Sequence, residues 1–191
     1  MDEIIRQIEA DVKPYYSELD IVHDWNHIQR VRKYALKIGK IENADLRVLE
    51  IAALMHDIGR KEADENNHSE KSWEIAKKML EKCKLNDDEK YKILDAVKGH
   101  SFHTKYEPQT KEGVILRDAD KLDLSGAMGI ARILIAYGSE NKPFEKIMEM
   151  YKKKLIENLK IPVKTEEARK IVDSEYPLIL DFYENFMKKI K

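Results

Sequence analysis

Cysteine is almost missing from this chain: Cys83 stands alone among 191 residues. A single thiol makes no intramolecular disulfide and no cysteine-built zinc cluster, and it suits a reducing cytoplasm. A surplus of either charge is missing as well. Lys and Arg number 35 against 36 Asp and Glu, a formal net charge of -1. That balance argues against a general nucleic-acid binder, which carries a clear basic excess, and leaves room only for a local basic pocket for a small anion. No apolar run approaches the ~20 residues needed to cross a bilayer. Met1 leads directly into acidic, amphipathic sequence without the basic start and apolar stretch of a signal peptide. The expected setting is therefore the cytoplasm, with no membrane partner. Internal repeats and low-complexity linkers are absent, and the length suits one domain over 1–191.

Glycine and proline are scarce, at seven and five, and no stretch alternates with period two long enough for a convincing strand. What remains is rich in Leu, Ile, Lys and Glu, a mixture that favours helices, so the expected fold class is all-α. A short amphipathic helix is expected over about Glu3–Glu18, kinked or stopped at Pro14. Ile28, Val31, Ala35 and Ile38 make one face of a second helix. "NADLRVLEIAALMHDIG" is apolar nearly all round, the pattern of a helix central to its domain, and Gly59 is expected to end it in a left-handed conformation. Trp73, Ala76, Leu80 and Cys83 stripe the next helix. Asn86 and Glu89 form a capping box ahead of one carrying Ile93, Ala96, Val97 and His100. "SFHTKYEPQT" reads as a loop, Thr110 as a cap, and a single helix is expected from there past "RDADKLD" to Leu134. Two closing helices, about Pro143–Leu159 and Thr165–Lys189, follow, the first with an apolar stripe through Phe144, Ile147, Met148, Tyr151 and Leu155.

The costly residues fall in the apolar segments. Of six histidines, five lie at or beside a helix end. His56–Asp57 closes the most apolar helix, and Asp118, Asp120 and Asp123 sit in another. Taken singly, each imidazole reads as a core group bonded to a carbonyl and each carboxylate as a cap. Taken together, several imidazoles and carboxylates turned into one core carry a desolvation cost that needs compensation. A divalent cation supplies it, since imidazole with carboxylate suits Mn, Fe, Ni, Co, Zn or Mg.

Three blocks, "HDWNHIQRV", "AALMHDIGR" and "RDADKLD", then appear in order. They resemble the HD-domain metal-dependent phosphohydrolases, in which a histidine on an early helix, an HD pair ending a central helix and a later aspartate bind metal. "GHSFH", "PQTKEGVILRDADKLDLSGAMGIAR" and "AYG" narrow the resemblance to a small single-domain branch. The motif core covers about residues 20–138, and the helices of about 143–190 close the domain. The resemblance implies a helical bundle around the HD-bearing helix, with His27, His56, Asp57 and Asp120 as metal ligands. His27 is taken over His23 because it shares the inward face of Val31, while His23 precedes the helix and stays a candidate for the surroundings of the ligands. Asp120 is taken over Asp118 and Asp123, which are read as hydrogen-bonding to histidines or basic residues.

The implied activity is hydrolysis of a phosphate ester or anhydride, of a nucleotide in the leading reading, by metal-activated water. One metal is favoured and two are the alternative. On the single-metal reading His68 and His100 contact substrate or its water beside Asp57 and Lys121 in catalytic roles. Arg30, Lys121 and His100 then bind the substrate's phosphate, with Arg60, Lys98 and Lys105 as looser candidates. Some relatives carry an acid just beyond the HD pair to assist the attacking water; here Arg60 occupies that neighbourhood, so that acid is not transferred. Two alternatives stand beside this reading. A di-iron oxygenase-type protein would need His68 and His100 both on metal, and a non-catalytic sensor or scaffold would use metal only for stability. A homo-oligomer is compatible with the sequence.

Overall fold

The computed structural model describes all residues except 1, 18, 21, 65, 139–141, 160–162 and 191. Nine α-helices and no strand occur among the described residues: α1 Glu3–Val12, α2 Trp25–Ile41, α3 Leu46–Met55, α4 His68–Leu80, α5 Asp87–Gly99, α6 Lys111–Leu122, α7 Gly126–Gly138, α8 Phe144–Tyr151 and α9 Glu166–Ile190. The fold is all-α, as expected. The chain divides into two compact units, residues 1–120 and 121–191, with the division inside α6.

In the first unit α3 is the centre. α1, α2 and α5 pack on it, and Val48, Leu49 and Ile51 to Met55 are all buried. A helix that is apolar on every side reaches its lowest free energy only when other helices surround it, and burying each such side chain contributes about 1.5–3 kcal/mol. Caps fix where the helices begin. Asp24 accepts from the His27 amide at the start of α2, and Asp45 accepts from Arg47 and Val48 at the start of α3. The capping box expected at Asn86 and Glu89 is present at α5. Arg32 clamps α1 to α3, reaching Glu9 at 3.1 Å and pairing with Glu50.

The segment between α5 and α6 is irregular, and buried Asp95 holds it. The Asp95 carboxylate accepts from Tyr106 Oη at 2.8 Å, the Gln109 amide at 3.0 Å and Thr110 Oγ1 at 2.6 Å. Thr110 Oγ1 in turn accepts from the Gly113 amide at 3.0 Å, the expected cap of α6.

In the second unit α8 and α9 pack against α7. Asp123 and Arg132 form a buried ion pair at 2.6 Å, and Tyr151 Oη donates to the Ile179 carbonyl at 2.9 Å.

Four expectations change. The first helix ends at Val12, and a 3₁₀ turn through Pro14 runs to Tyr16; proline lacks the N–H that a continuing α-helix needs. The expected end at Glu18 lies outside the described residues. The single helix expected from Thr110 to Leu134 is two: α6 ends at Leu122, and Gly126, which opens α7, takes φ +57, a conformation that costs side-chain-bearing residues energy and glycine little. Phe144 is 61 % exposed while Ile147, Met148, Tyr151 and Leu155 are buried; it opens α8, where the stripe has only begun.

Gly59 is the fourth. Its φ is -89, not left-handed. The glycine is needed for space: a Cβ there would lie 2.3 Å from the Ser72 nitrogen and 2.6 Å from the Lys71 carbonyl carbon. Backbone against backbone has no flexible end to yield. Gly59→Ala is therefore expected to destabilise the fold by roughly 1–3 kcal/mol, read as a lower urea midpoint with unchanged slope.

Candidate metal centre

His56 is the C-cap residue of α3 and His100 the C-cap residue of α5. The last carbonyls of a helix have no partner within it, and both rings fold back to meet one. His56 Nδ1 donates to the Ala53 carbonyl at 2.8 Å, and His100 Nδ1 donates to the Val97 carbonyl at 2.7 Å. A carbonyl only accepts, so each Nδ1 carries hydrogen and each neutral ring presents a bare Nε2. His27 reaches the same place from the first turn of α2, and His68 from the first residue of α4. Four helix ends thus deliver four imidazoles to one interior.

Asp57 lies between them. Its Oδ2 is 3.7 Å from His27 Nε2 and 3.8 Å from His56 Nε2, and its Oδ1 is 3.2 Å from His100 Nε2 and 3.5 Å from His68 Nε2. Two groups with metal-binding spacing share this carboxylate: His27, His56 and Asp57, and Asp57, His68 and His100. Asp120 joins the first, its Oδ1 3.4 Å from His27 Nε2 and 3.9 Å from His56 Nε2. The two histidines face each other at 3.3 Å between Nε2 atoms.

These separations test whether a cation fits. Donors at adjacent positions around an octahedral ion with ~2.1 Å bonds sit about 3 Å apart, and slightly wider around larger ions. The first group spans 3.3–3.9 Å. Nitrogen lone pairs turned toward one another and toward carboxylate oxygens repel unless a proton or a cation stands between them. The donor set fits a divalent cation, and the mixture of imidazole with carboxylate suits Mn, Fe, Co, Ni or Zn more than an all-oxygen ion such as Ca.

Burial and neighbouring charge set the ionisation. Burial pushes the His56 imidazole down to about 4, so it is neutral at neutral pH. Burial works to raise the Asp57 carboxyl, but Arg60, His56 and His100 overcome it and hold the group well below the usual carboxylate range. Burial also opposes the charged form of His100, and its hydrogen bond to Asp57 outweighs this and moves it upward.

All four expected ligands converge, and His68 and His100 converge with them on the other oxygen of Asp57. Arg30 lies half-buried on α2, one turn beyond His27. Lys121 is buried and begins the second unit. His23 bonds Asp20 at 2.9 Å, its ring 6.0 Å from that of His27. Asp118 is buried on α6, and Asp123 is the partner of Arg132. Lys98 pairs with Glu70 at 3.1 Å and covers Trp73 at 4.8 Å, and Lys105 is exposed.

Arg60 is the residue that sequence reading undervalued. Its Nε donates to Asp57 Oδ2 at 2.9 Å and its Nη2 lies 3.3 Å from His68 Nε2. Its position three residues after Asp57, just past a glycine, was the available signal.

Residues 24–125, more than half of the chain, match the HD domain family, and the chain belongs to it. It is 30% identical over 210 residues to YpgQ of Bacillus subtilis (strain 168), covering 96% of this chain and 92% of that protein. A crystal structure of a predicted HD superfamily hydrolase from an uncultured Thermotogales bacterium matches with a TM-score of 0.70 and 28% identity, over 97% of this chain and 92% of that one. Bacillus subtilis YpgQ in complex with ADP matches with a TM-score of 0.77 and 27% identity, over 97% of each chain.

One further contact fixes the turn that bears Asp57. Tyr16 Oη, fully buried, donates to the Leu54 carbonyl at 2.8 Å, and the ring packs 5.8 Å from Trp25. Tyr16→Phe keeps the ring and removes the bond. It is expected to lower stability by about 1 kcal/mol and to speed amide exchange across residues 56–59, with helical content unchanged.

Proposed function

We propose that this protein is a divalent-metal-dependent phosphohydrolase acting on a small phosphorylated substrate, in the leading reading a nucleotide. The observation that carries the proposal is the meeting of His27 and His56 Nε2 with Asp57 and Asp120 oxygens at 3.3–3.9 Å. The predicted HD superfamily hydrolase among its structural relatives and the ADP bound to YpgQ support the reaction class and the nucleotide.

His27, His56, Asp57 and Asp120 would hold the cation. When bound, such an ion polarises a phosphoryl oxygen and lowers the pKa of water. The chain's own residues do the rest. The Ala53 and Val97 carbonyls orient His56 and His100. Asp57 stays ionised in the interior and supplies an oxygen to each donor group. Asp120, 24 % exposed where His27 and His56 are buried, lies on the side of the cluster that solvent reaches, where substrate enters. Lys121 and Arg30 are the candidates for neutralising phosphate charge, and His68 and His100 for contacting substrate or exchanging its protons. The reading places the protein in the cytoplasm as one HD domain. No helix among the described residues is long and apolar enough to cross a membrane.

The second donor group favours one refinement, a two-cation site bridged by Asp57. On that reading His68 and His100 are ligands. Elemental analysis after reconstitution separates the versions at one or two ions per chain.

The test is a screen of chelator-treated protein against nucleoside mono-, di- and triphosphates and other phosphate esters, with Mn, Mg, Ni, Co and Fe supplied separately. Hydrolysis is expected only with metal restored. His56→Ala is expected to lose metal and reduce turnover by more than about a hundredfold, beyond the loss typical of disturbing groups around a ligand, with circular dichroism unchanged. Full activity of the chelated protein would overturn the proposal.

A further inference from the structure

Arg60 touches both donor groups. Its Nε donates to Asp57 Oδ2, the oxygen turned to His27 and His56, and its Nη2 reaches His68 Nε2 in the other group. A guanidinium only donates, so this second contact uses the lone pair of His68 Nε2. That is the same lone pair His68 would offer a cation held with Asp57 and His100. One ring nitrogen serves one of these partners at a time. Charge enforces the choice, because a guanidinium and a divalent ion on adjoining atoms of a buried site repel strongly.

The surroundings let the side chain move while the backbone stays. Arg60 opens a single 3₁₀ turn, Arg60–Glu62, so its rotation breaks no long helix. The backbone beneath is pinned: the Arg60 amide donates to the Asp57 carbonyl at 3.1 Å, and the Gly59 amide to Ser72 Oγ at 3.0 Å. The Arg60 side chain is 20 % exposed where Asp57 is 1 % exposed, so solvent reaches the arginine while the carboxylate is sealed. Glu62, on the same turn, is engaged with Lys71 at 3.2 Å.

We propose that Arg60 is a cation-displaced anion receptor. Its guanidinium leaves His68 Nε2 when the Asp57–His68–His100 group takes up a divalent ion, and the released fork receives the phosphoryl oxygens of the substrate. Guanidinium binds such oxygens bidentately, which ammonium does not. The inference rests on the phosphohydrolase reading and deepens it: uptake of the second ion and binding of the phosphate become coupled through one side chain.

Loss of any positive charge beside Asp57 favours a cation there, so the charge-conserving variant separates a structural ion pair from the displaced receptor. If Arg60 only neutralises buried Asp57, Arg60→Lys binds the second Mn and pyrophosphate as the wild type does. If its fork is the receptor, Arg60→Lys keeps the Mn affinity and loses part of the pyrophosphate affinity.

The experiment titrates Mn into chelator-treated full-length protein, followed by electron paramagnetic resonance, and then titrates inorganic pyrophosphate at saturating Mn by calorimetry. Arg60→Gln is expected to bind the second Mn about five- to tenfold more tightly and pyrophosphate about tenfold more weakly, the range of a typical coupling between sites. Arg60→Lys keeps the charge and loses the fork. It is expected to hold the second Mn near the wild-type affinity and to recover only part of the pyrophosphate affinity, and it serves as the folded control if the glutamine variant is unstable. Weaker or unchanged second-Mn binding in Arg60→Gln, or wild-type pyrophosphate affinity in either Arg60→Gln or Arg60→Lys, overturns the inference. A single Mn per chain in every variant overturns it and leaves the hydrolase reading standing, whereas no Mn in the wild type removes both.

Discussion

A carboxylate sealed among four imidazoles is a problem in charge compensation, and Asp57 is where this fold meets it. Removing an ion from water costs several kcal/mol even after relaxation. Here that cost is offset by the Arg60 guanidinium at 2.9 Å and, when its Nε2 carries a proton, by His100 at 3.2 Å. The remaining donors are arranged so that one more positive charge improves every contact. His27 and His56 face each other through nitrogens that gain nothing from mutual proximity. Such an arrangement persists because the backbone imposes it.

That imposition comes from helix ends. A carbonyl three residues back orients each of His56 and His100, so an unsatisfied feature of every helix C-terminus becomes the device that selects the tautomer and aims Nε2. α3 can carry its end so deep because its two charged side chains are both answered near its start, Arg47 by Asp2 and Glu89 and Glu50 by Arg32. The Tyr16 hydroxyl on the Leu54 carbonyl and the contact of Gly59 with the backbone of residues 71–72 then leave the His56–Asp57 turn little freedom. Core packing and site geometry are one construction.

Sequence made much of this readable where the signal was periodic or local. The apolar run of α3, the caps at Asn86 and Thr110 and the three His/Asp blocks all depend on residues within a few turns of one another. The four expected ligands, spread from His27 to Asp120, were legible because each carries its own short motif. What escaped depends on distant partners. Gly59 is required by the backbone of α4, which spacing along α3 cannot show. Asp95 has no local motif to mark it, yet it organises residues 106–110. The interruption between α6 and α7 hid inside a continuous apolar pattern, since hydrophobic periodicity is blind to one residue at positive φ.

Arg60 belongs to the same class of hidden information, and it bears on how the site works. By composition it was one of 35 basic residues, and the sequence offered it only as a looser candidate for binding phosphate. In the folded chain its guanidinium pairs with Asp57 and reaches across to the donor group opposite. A residue so placed links two kinds of occupancy. Positive charge at this carboxylate has an upper limit, so what the arginine gives up to a cation it can spend on an anion. Substrate charge and metal charge are then balanced through the same few ångströms of side chain.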